Sequence, residues 1–128
     1  VRWTYVPFVM GMFPNGAEAA RAAESADEQG EEAFWAMQDI LYARQPEWRA
    51  SRGPADLFGR LAAEIEIDAD AFATCYRNDS PADRITAANA VARQAGVNAT
   101  PTFFVNGRRV QGALPLEHFR MILTVQGW

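Results

Sequence analysis

Hydrophobic and polar positions alternate along this chain in segments of different period. Arg2-Trp3-Thr4-Tyr5-Val6-Pro7-Phe8-Val9-Met10 concentrates aromatic and β-branched residues, which suit a buried strand. Pro7 lacks an N–H, so the strand is expected to end near it. Gly11 to Pro14 reads as a loop. Asn15, with Glu18 in the following turn, reads as a helix start in which the Asn15 side chain caps a free N–H. The Ala-rich stretch Ala17–Gln29 is then helical and closes at Gly30.

A second helix is expected over Glu31–Ala43. Phe34, Met37 and Leu41, flanked by Ala33 and Ile40, make one apolar face. Gln45-Pro46-Glu47-Trp48 breaks that pattern, and Arg49 to Gly53 is a polar loop. Pro54 opens a third helix where its missing N–H costs nothing, with Leu57, Phe58, Leu61 and Ile65 as the buried stripe. A short helix near Ala69–Arg77 is expected to turn Phe72 and Cys75 inward. Ser80-Pro81-Ala82-Asp83 joins a cap, a proline at the first helical position and an acid in the first turn; that helix runs to Gln94 or Ala95 and ends at Gly96. Thr102–Val105 and Arg108–Gln111 pair across Asn106-Gly107, a dipeptide that accepts positive φ at both turn centres. A last helix, about Leu116–Val125, offers Phe119, Ile122 and Leu123 to a core. No repeat, low-complexity tract or linker interrupts the order strand, helical block, hairpin, helix.

The 128 residues suffice for one domain spanning 1–128. A hydrophobic share of 49% against 22% charged residues excludes a disordered chain. The net charge is −4, and no basic stripe points to nucleic acid. All 12 basic residues are arginine, which reflects a GC-rich genome rather than a phosphate-binding design. No apolar run approaches the ~20 residues that span a bilayer, so no transmembrane segment is expected. No signal peptide is visible. The chain starts at Val1 directly in strand-like sequence, which reads as a processed or truncated product. Its single cysteine, Cys75, forbids an internal disulfide.

The most informative run is Gly96-Val97-Asn98-Ala99-Thr100-Pro101-Thr102-Phe103-Phe104-Val105-Asn106-Gly107-Arg108, followed by Gly112-Ala113. Together with Ala19-Ala20-Arg21-Ala22-Ala23-Glu24, Phe34-Trp35-Ala36-Met37-Gln38-Asp39 and the Phe72–Cys75 turn, it resembles the DsbA-like branch of the thioredoxin superfamily over nearly the whole chain. The resemblance implies an α/β, thioredoxin-like fold of DsbA type, with a helical insertion at about 15–95. It implies a cis bond at Thr100-Pro101, where the Thr100 backbone and Pro101 form a substrate-binding loop for an extended polypeptide. In that family a strand, a Cys-x-x-Cys motif and the helix it caps precede the segment resembling Arg2–Val6. Family chemistry is thiolate attack on a substrate disulfide, with the thiolate stabilised at a helix N-terminus. Residues 1–128 hold no such pair, so no catalytic residue is assigned and the sheet is expected to be incomplete. The missing strand belongs between those resembling Arg2–Val6 and Thr102–Val105. Each buried unpaired backbone group costs ~1–3 kcal/mol, so that strand is expected from an upstream piece, a partner chain or a swapped copy. An oligomer or a subunit of a complex follows. The family's usual location implies a periplasmic or otherwise extracytoplasmic setting.

Other candidates have plainer readings. Cys75 lies at helical spacing from Phe72 and packs as a small apolar group. Relatives of this type often carry a second cysteine near the position of Ser25, and Ser25 makes that bridge impossible here. His118, the only histidine, is a surface helix residue, and one His with one Cys makes no metal site. Asp68 and Asp70 are helix-start residues. Glu24, Asp27, Glu28, Glu31 and Glu32 form a solvated acidic face open to a basic partner. Trp3 and Trp35 are expected in the core, and Trp48 and Trp128 as interface anchors. No Gly-rich phosphate loop or cofactor motif is present. Two functions stay open: a thiol-disulfide oxidoreductase module whose dithiol is not in this chain, or a non-catalytic structural or interaction subunit of a larger assembly.

Overall fold

A computed structural model describes residues Val1–Gly127; Trp128, one of the expected interface anchors, lies outside the described residues. The chain divides into two compact units, Pro7–Asn89 and Val1–Val6 with Ala90–Trp128. The class is α/β, with seven α-helices and one two-stranded antiparallel sheet among the described residues.

The larger unit is helical: α1 (Gly16–Asp27), α2 (Glu31–Ala43), α3 (Gln45–Ala50), α4 (Pro54–Glu64), α5 (Ala69–Arg77) and the first part of α6 (Ala82–Gln94). α1 packs chiefly on α2 and also on α4 and α5. Its Ala22, Ala23 and Ala26 are buried and let neighbouring helices approach closely. The periodic stripes behave as expected: Phe34, Met37 and Leu41 of α2 join Leu57, Phe58 and Leu61 of α4 in one core. Phe58 is its centre, with the Trp48 ring 6.3 Å and the Tyr76 ring 5.9 Å away.

Three local expectations are corrected here. Gln45–Ala50 is a helix rather than a break and a loop. Pro46 falls in its first turn, where no N–H is required. The Arg44 guanidinium holds Glu47 and reaches Glu64 at 2.9 Å, fastening that turn to α4; the hydrogen bond from Arg44 holds the Glu47 carboxyl below its usual range. Asn15 does not cap α1. It sits in the left-handed region at φ 57°, and its amide nitrogen donates to the Trp48 and Ser51 carbonyls at 2.7 and 2.8 Å. In α5 the inward positions go to Phe72 and Tyr76, while Cys75 is half-buried. Asp68 caps that helix, accepting from the Ala71 N–H at 3.0 Å.

The tryptophans exchange roles. Trp48 is a core residue whose indole N–H donates to the Leu41 carbonyl at 2.7 Å. Trp35 and Trp3 are exposed. Trp35 directly follows Phe34 on α2 and so points away from the stripe; the two rings meet edge to face at 5.1 Å. Glu24 also departs from the expected solvated face, being only 6% exposed.

Ser25 is 1% exposed, and its hydroxyl has no hydrogen-bond partner among the described residues. A buried unpartnered hydroxyl costs roughly 1–3 kcal/mol. Ser25→Ala should therefore raise stability by about 1 kcal/mol. Urea denaturation of the two proteins checks this, and an unchanged or lowered midpoint would show that the hydroxyl is satisfied in solution.

The smaller unit holds the end of α6, the hairpin β1 (Thr102–Val105) and β2 (Arg108–Gln111), and α7 (Leu116–Val125). β1 and β2 pair in the register Thr102↔Gln111, Phe103↔Val110, Phe104↔Arg109 and Val105↔Arg108. Asn106 and Gly107 take the turn with φ of 49° and 82°, the left-handed geometry that this dipeptide tolerates. Phe103 lies edge to face on Phe119 of α7 at 4.7 Å, and Trp3 stacks on the same ring at 6.0 Å.

The expected strand at Arg2–Met10 does not form. A strand needs a ladder partner, and the sheet among the described residues consists of β1 and β2 alone. What holds Val9 instead is a side-chain amide. Its N–H donates to Asn89 Oδ1 at 2.9 Å and its carbonyl accepts from Asn89 Nδ2 at 3.0 Å, so Asn89 stands where a neighbouring backbone would. Residues 2–6 and β1 accordingly do not pair with each other, and no strand stands between them among the described residues.

Candidate functional site

The loop between α6 and β1 is built from both sides. α6 closes as the Gly96 N–H donates to the Arg93 carbonyl and the Val97 N–H to the Ala92 carbonyl, both at 3.0 Å. Gly96 has φ 85°, and a Cβ there would come within 2.9 Å of Arg109 Nη1, which donates to the Gly96 carbonyl at 3.1 Å. Glycine is thus required by conformation, while a Cβ would displace only the end of the flexible Arg109 side chain from its carbonyl. Beyond it the Thr102 hydroxyl donates to the Ala99 carbonyl at 2.7 Å. The Pro101 carbonyl accepts from the Gly112 N–H at 2.9 Å, which extends the hairpin by one pair. The Thr100-Pro101 peptide is cis, and both residues are exposed.

Register decides what this loop can do. In an antiparallel pair every second residue exchanges hydrogen bonds with its partner and the residues between point their amides outward. The Pro101–Gly112 bond fixes the parity, so Thr102 and Phe104 direct their N–H and C=O groups away from β2. No strand pairs with that edge among the described residues. An open edge of this kind can accept an extended polypeptide through main-chain hydrogen bonds. Thr100 and Pro101 lie at its start, and Phe104, half exposed, offers a ring beside it.

Cys75 belongs to the helical unit, in the last turn of α5 and away from the helix N-terminus that favours a reactive thiolate. It borders a shallow depression together with Glu28, Asp68, Asp70, Thr74 and Ser80. Asp68 is spoken for as a helix cap. No group of three or more His, Cys, Asp or Glu among the described residues is placed to hold a metal ion. His118 is exposed on α7.

One cluster escaped the sequence reading. Arg84 of α6 reaches α1 by three contacts: to Glu24 Oε2 at 3.2 Å, to Glu28 Oε1 at 2.8 Å and to the Glu24 carbonyl at 2.6 Å. Burial pushes the Glu24 carboxyl up, the Arg84 hydrogen bond and charge pull it down, and Asp27 and Glu28 add to the rise. Glu24 and Glu28 stand one turn apart, a spacing that also fits a solvated face. Only the fold brings an arginine 60 residues away against them.

Comparison with known proteins adds the following. A family model described as Thioredoxin matches residues 1–124. A protein of Salinispora tropica named Na(+)/H(+) antiporter NhaA 3 is 42% identical over 115 residues, covering 90% of this chain and 16% of that protein. One from Salinispora arenicola, Na(+)/H(+) antiporter NhaA 1, is 39% identical over 95% of this chain and 18% of its own length. A third, Na(+)/H(+) antiporter NhaA of Herminiimonas arsenicoxydans, is 37% identical over 78% of this chain and 15% of its own length. The chain thus spans less than a fifth of the length of these relatives. No solved structure gives a significant match. No helix among the described residues is long and apolar enough to cross a membrane.

Proposed function

Because the chain belongs to the thioredoxin family, we propose that it serves as the thioredoxin-type module of a sodium/proton antiporter system, binding an extended polypeptide along β1 beside Thr100 and Pro101. The observation that carries this reading is the outward parity of Thr102 and Phe104 on an edge with no strand beside it among the described residues. Main-chain pairing there supplies affinity, and Phe104 supplies an apolar contact for one side chain of the guest. The antiporter association is supported by three relatives of that name, each matching over 78% or more of this chain. An extracytoplasmic location is part of the proposal, by resemblance to the DsbA-like branch.

The module is non-catalytic in disulfide exchange as it stands. The family's reaction needs two thiols in succession, one to attack and one to release the mixed disulfide, and Cys75 is the only cysteine. Family membership also supports a second reading, an oxidoreductase module whose dithiol is supplied by residues outside 1–128.

Two measurements separate these readings. In an insulin-reduction assay with dithiothreitol, the 128-residue chain should match both its Cys75→Ser variant and the uncatalysed rate. Turnover that depends on Cys75 would overturn the non-catalytic assignment. The tagged chain, added to detergent-solubilised membranes containing the antiporter, should recover that protein. Phe104→Pro, which removes an outward N–H but no bond to β2, should lower the recovery at least severalfold. Absence of the antiporter from the recovered material, or recovery indifferent to Phe104→Pro, would defeat the proposal.

A further inference from the structure

Five asparagines occur in the chain, and two of them, Asn15 and Asn106, precede a glycine. That dipeptide carries a reaction of its own. The backbone nitrogen of the following residue can attack the asparagine side-chain amide, and glycine, having no Cβ, leaves that nitrogen unshielded. The other three asparagines precede Asp79, Ala90 and Ala99, whose Cβ atoms crowd the attack. The fold treats the two Asn-Gly pairs in opposite ways.

At Asn15 both reacting groups are held. The Asn15 amide nitrogen donates to the Trp48 and Ser51 carbonyls at 2.7 and 2.8 Å. The Gly16 N–H donates to the Phe13 carbonyl at 3.0 Å, and Gly16 begins α1. Both residues are half-buried. Attack there would break these hydrogen bonds and disturb the start of a helix. At Asn106 neither group is fastened in this way. Its amide nitrogen makes one long bond, 3.3 Å to the Gln126 carbonyl. No hydrogen bond engages the Gly107 N–H among the described residues. Both residues are exposed, and beyond the chain neighbours no heavy atom lies within 4 Å of the place a Gly107 Cβ would take. The turn closes a hairpin of two four-residue strands, so a local opening suffices to bring the nitrogen onto the amide carbon.

We propose that Asn106 is a site of spontaneous covalent modification, converted to aspartate and isoaspartate through a cyclic imide, while the fold protects Asn15. The Gly107 nitrogen bonds to Asn106 Cγ, and the Cγ–Nδ2 bond breaks. Ammonia leaves with the Gly107 amide proton. Water then opens the imide at one of its two carbonyls. Cleavage at Cγ gives aspartate, and cleavage at the Asn106 main-chain carbonyl gives isoaspartate. Aspartate keeps the main chain as it was, and Asp-Gly suits the same turn. Isoaspartate routes the chain through the side chain. It adds one methylene to a loop whose two residues set the register of β1 on β2. Either product places a new carboxylate close in sequence to Arg108, in a unit whose acidic side chains are otherwise limited to Glu117. The inference holds whether or not β1 receives a guest.

Ageing the 128-residue chain in neutral buffer tests this, with its tryptic peptides sequenced by tandem mass spectrometry. Asn106 falls in the peptide Gln94–Arg108 and Asn15 in Trp3–Arg21, so the two conversions are read separately. In the folded chain Asn106 should convert at least about tenfold faster than Asn15, the ratio reflecting how much structure must open at each site. In guanidinium chloride the two should convert at similar rates, since both are then plain Asn-Gly pairs. The aged chain should yield a more acidic species that elutes with the Asn106→Asp variant on anion exchange. An isoaspartyl carboxyl methyltransferase should add a methyl group to the peptide Gln94–Arg108. Circular dichroism confirms that the chain stays folded throughout. Equal rates at the two sites in the folded chain, or an Asn106 that converts only in denaturant, would overturn the proposal. A preference for Asn106 that persists undiminished in denaturant would overturn it as well, because sequence rather than fold would then set the contrast.

Discussion

Phe58→Ala is expected to destabilise the helical unit by about 3 to 5 kcal/mol. The side chain is wholly buried, and the rings of Trp48 and Tyr76 meet it from two sides. Truncation forfeits the transfer free energy of the ring and leaves a cavity that these aromatics cannot close, because each is held elsewhere. Trp48 is tied to the Leu41 carbonyl by its indole N–H. Tyr76 is stacked on Phe72 and covered by the Arg21 guanidinium, 4.6 Å from its ring centre. Against a total stability of about 5 to 15 kcal/mol, such a loss brings the chain to the edge of unfolding. Urea denaturation followed by far-ultraviolet circular dichroism reads the change. Phe104→Ala is the control: that ring is half exposed on β1 and should cost less than about 1 kcal/mol. Equal effects of the two substitutions would mean that the aromatic cluster is not the centre of the core.

Features set by neighbours in sequence are legible in the sequence itself. Pro54 opens α4, Asp68 caps α5, Asn106-Gly107 turns the hairpin, and the stripe Leu57, Phe58, Leu61 is buried. Each rests on a local backbone requirement or on a period that one helix face imposes. The run Thr100-Pro101-Thr102-Phe103-Phe104-Val105 likewise announced a family loop, and membership of the thioredoxin family follows over residues 1–124. What failed was whatever depended on a partner distant in sequence. The aromatic run at Arg2–Met10 has strand composition, but composition cannot supply a ladder, and Asn89 takes up the backbone of Val9 instead. Asn15 has the chemistry of a helix cap, yet two carbonyls more than thirty residues away claim its amide. Trp48 has the sequence setting of a loop residue because nothing local marks α3; with Gln45–Ala50 helical, its indole falls onto Leu41 and Phe58. At the loop itself the sequence showed which residues to watch. The direction of the amides of Thr102 and Phe104 needed the register.

The contact between Glu24 and Arg84 leads to the second large effect. Arg84→Ala should cost about 2 to 3 kcal/mol near pH 7. That is less than for a fully buried pair, because the Arg84 side chain is 42% exposed while that of Glu24 is 8% exposed. The loss should depend on pH in a defined direction. Burial raises the Glu24 carboxyl above its ordinary 4.5 in the folded chain, with Arg84 opposing the rise. A folded-state value above the unfolded one means that the fold holds this proton more tightly than the unfolded chain does. The resulting contribution to stability is complete below the unfolded value and disappears as pH climbs through the folded one. Removing Arg84 removes two influences that lower the carboxyl, so its folded value rises further and the window widens. At about pH 4 the carboxyl is largely neutral in the variant and needs no cation. The stability gap between wild type and Arg84→Ala should therefore narrow there to what the bonds to Glu28 and the Glu24 carbonyl supply. Glu24→Gln placed on Arg84→Ala should recover part of the loss at pH 7 and flatten the dependence. Denaturation midpoints of the three variants at the two pH values decide the matter. A gap that stays constant from pH 7 to pH 4 would show that Arg84 acts through its main-chain bond to Glu24 and through Glu28, with the buried carboxylate playing no part.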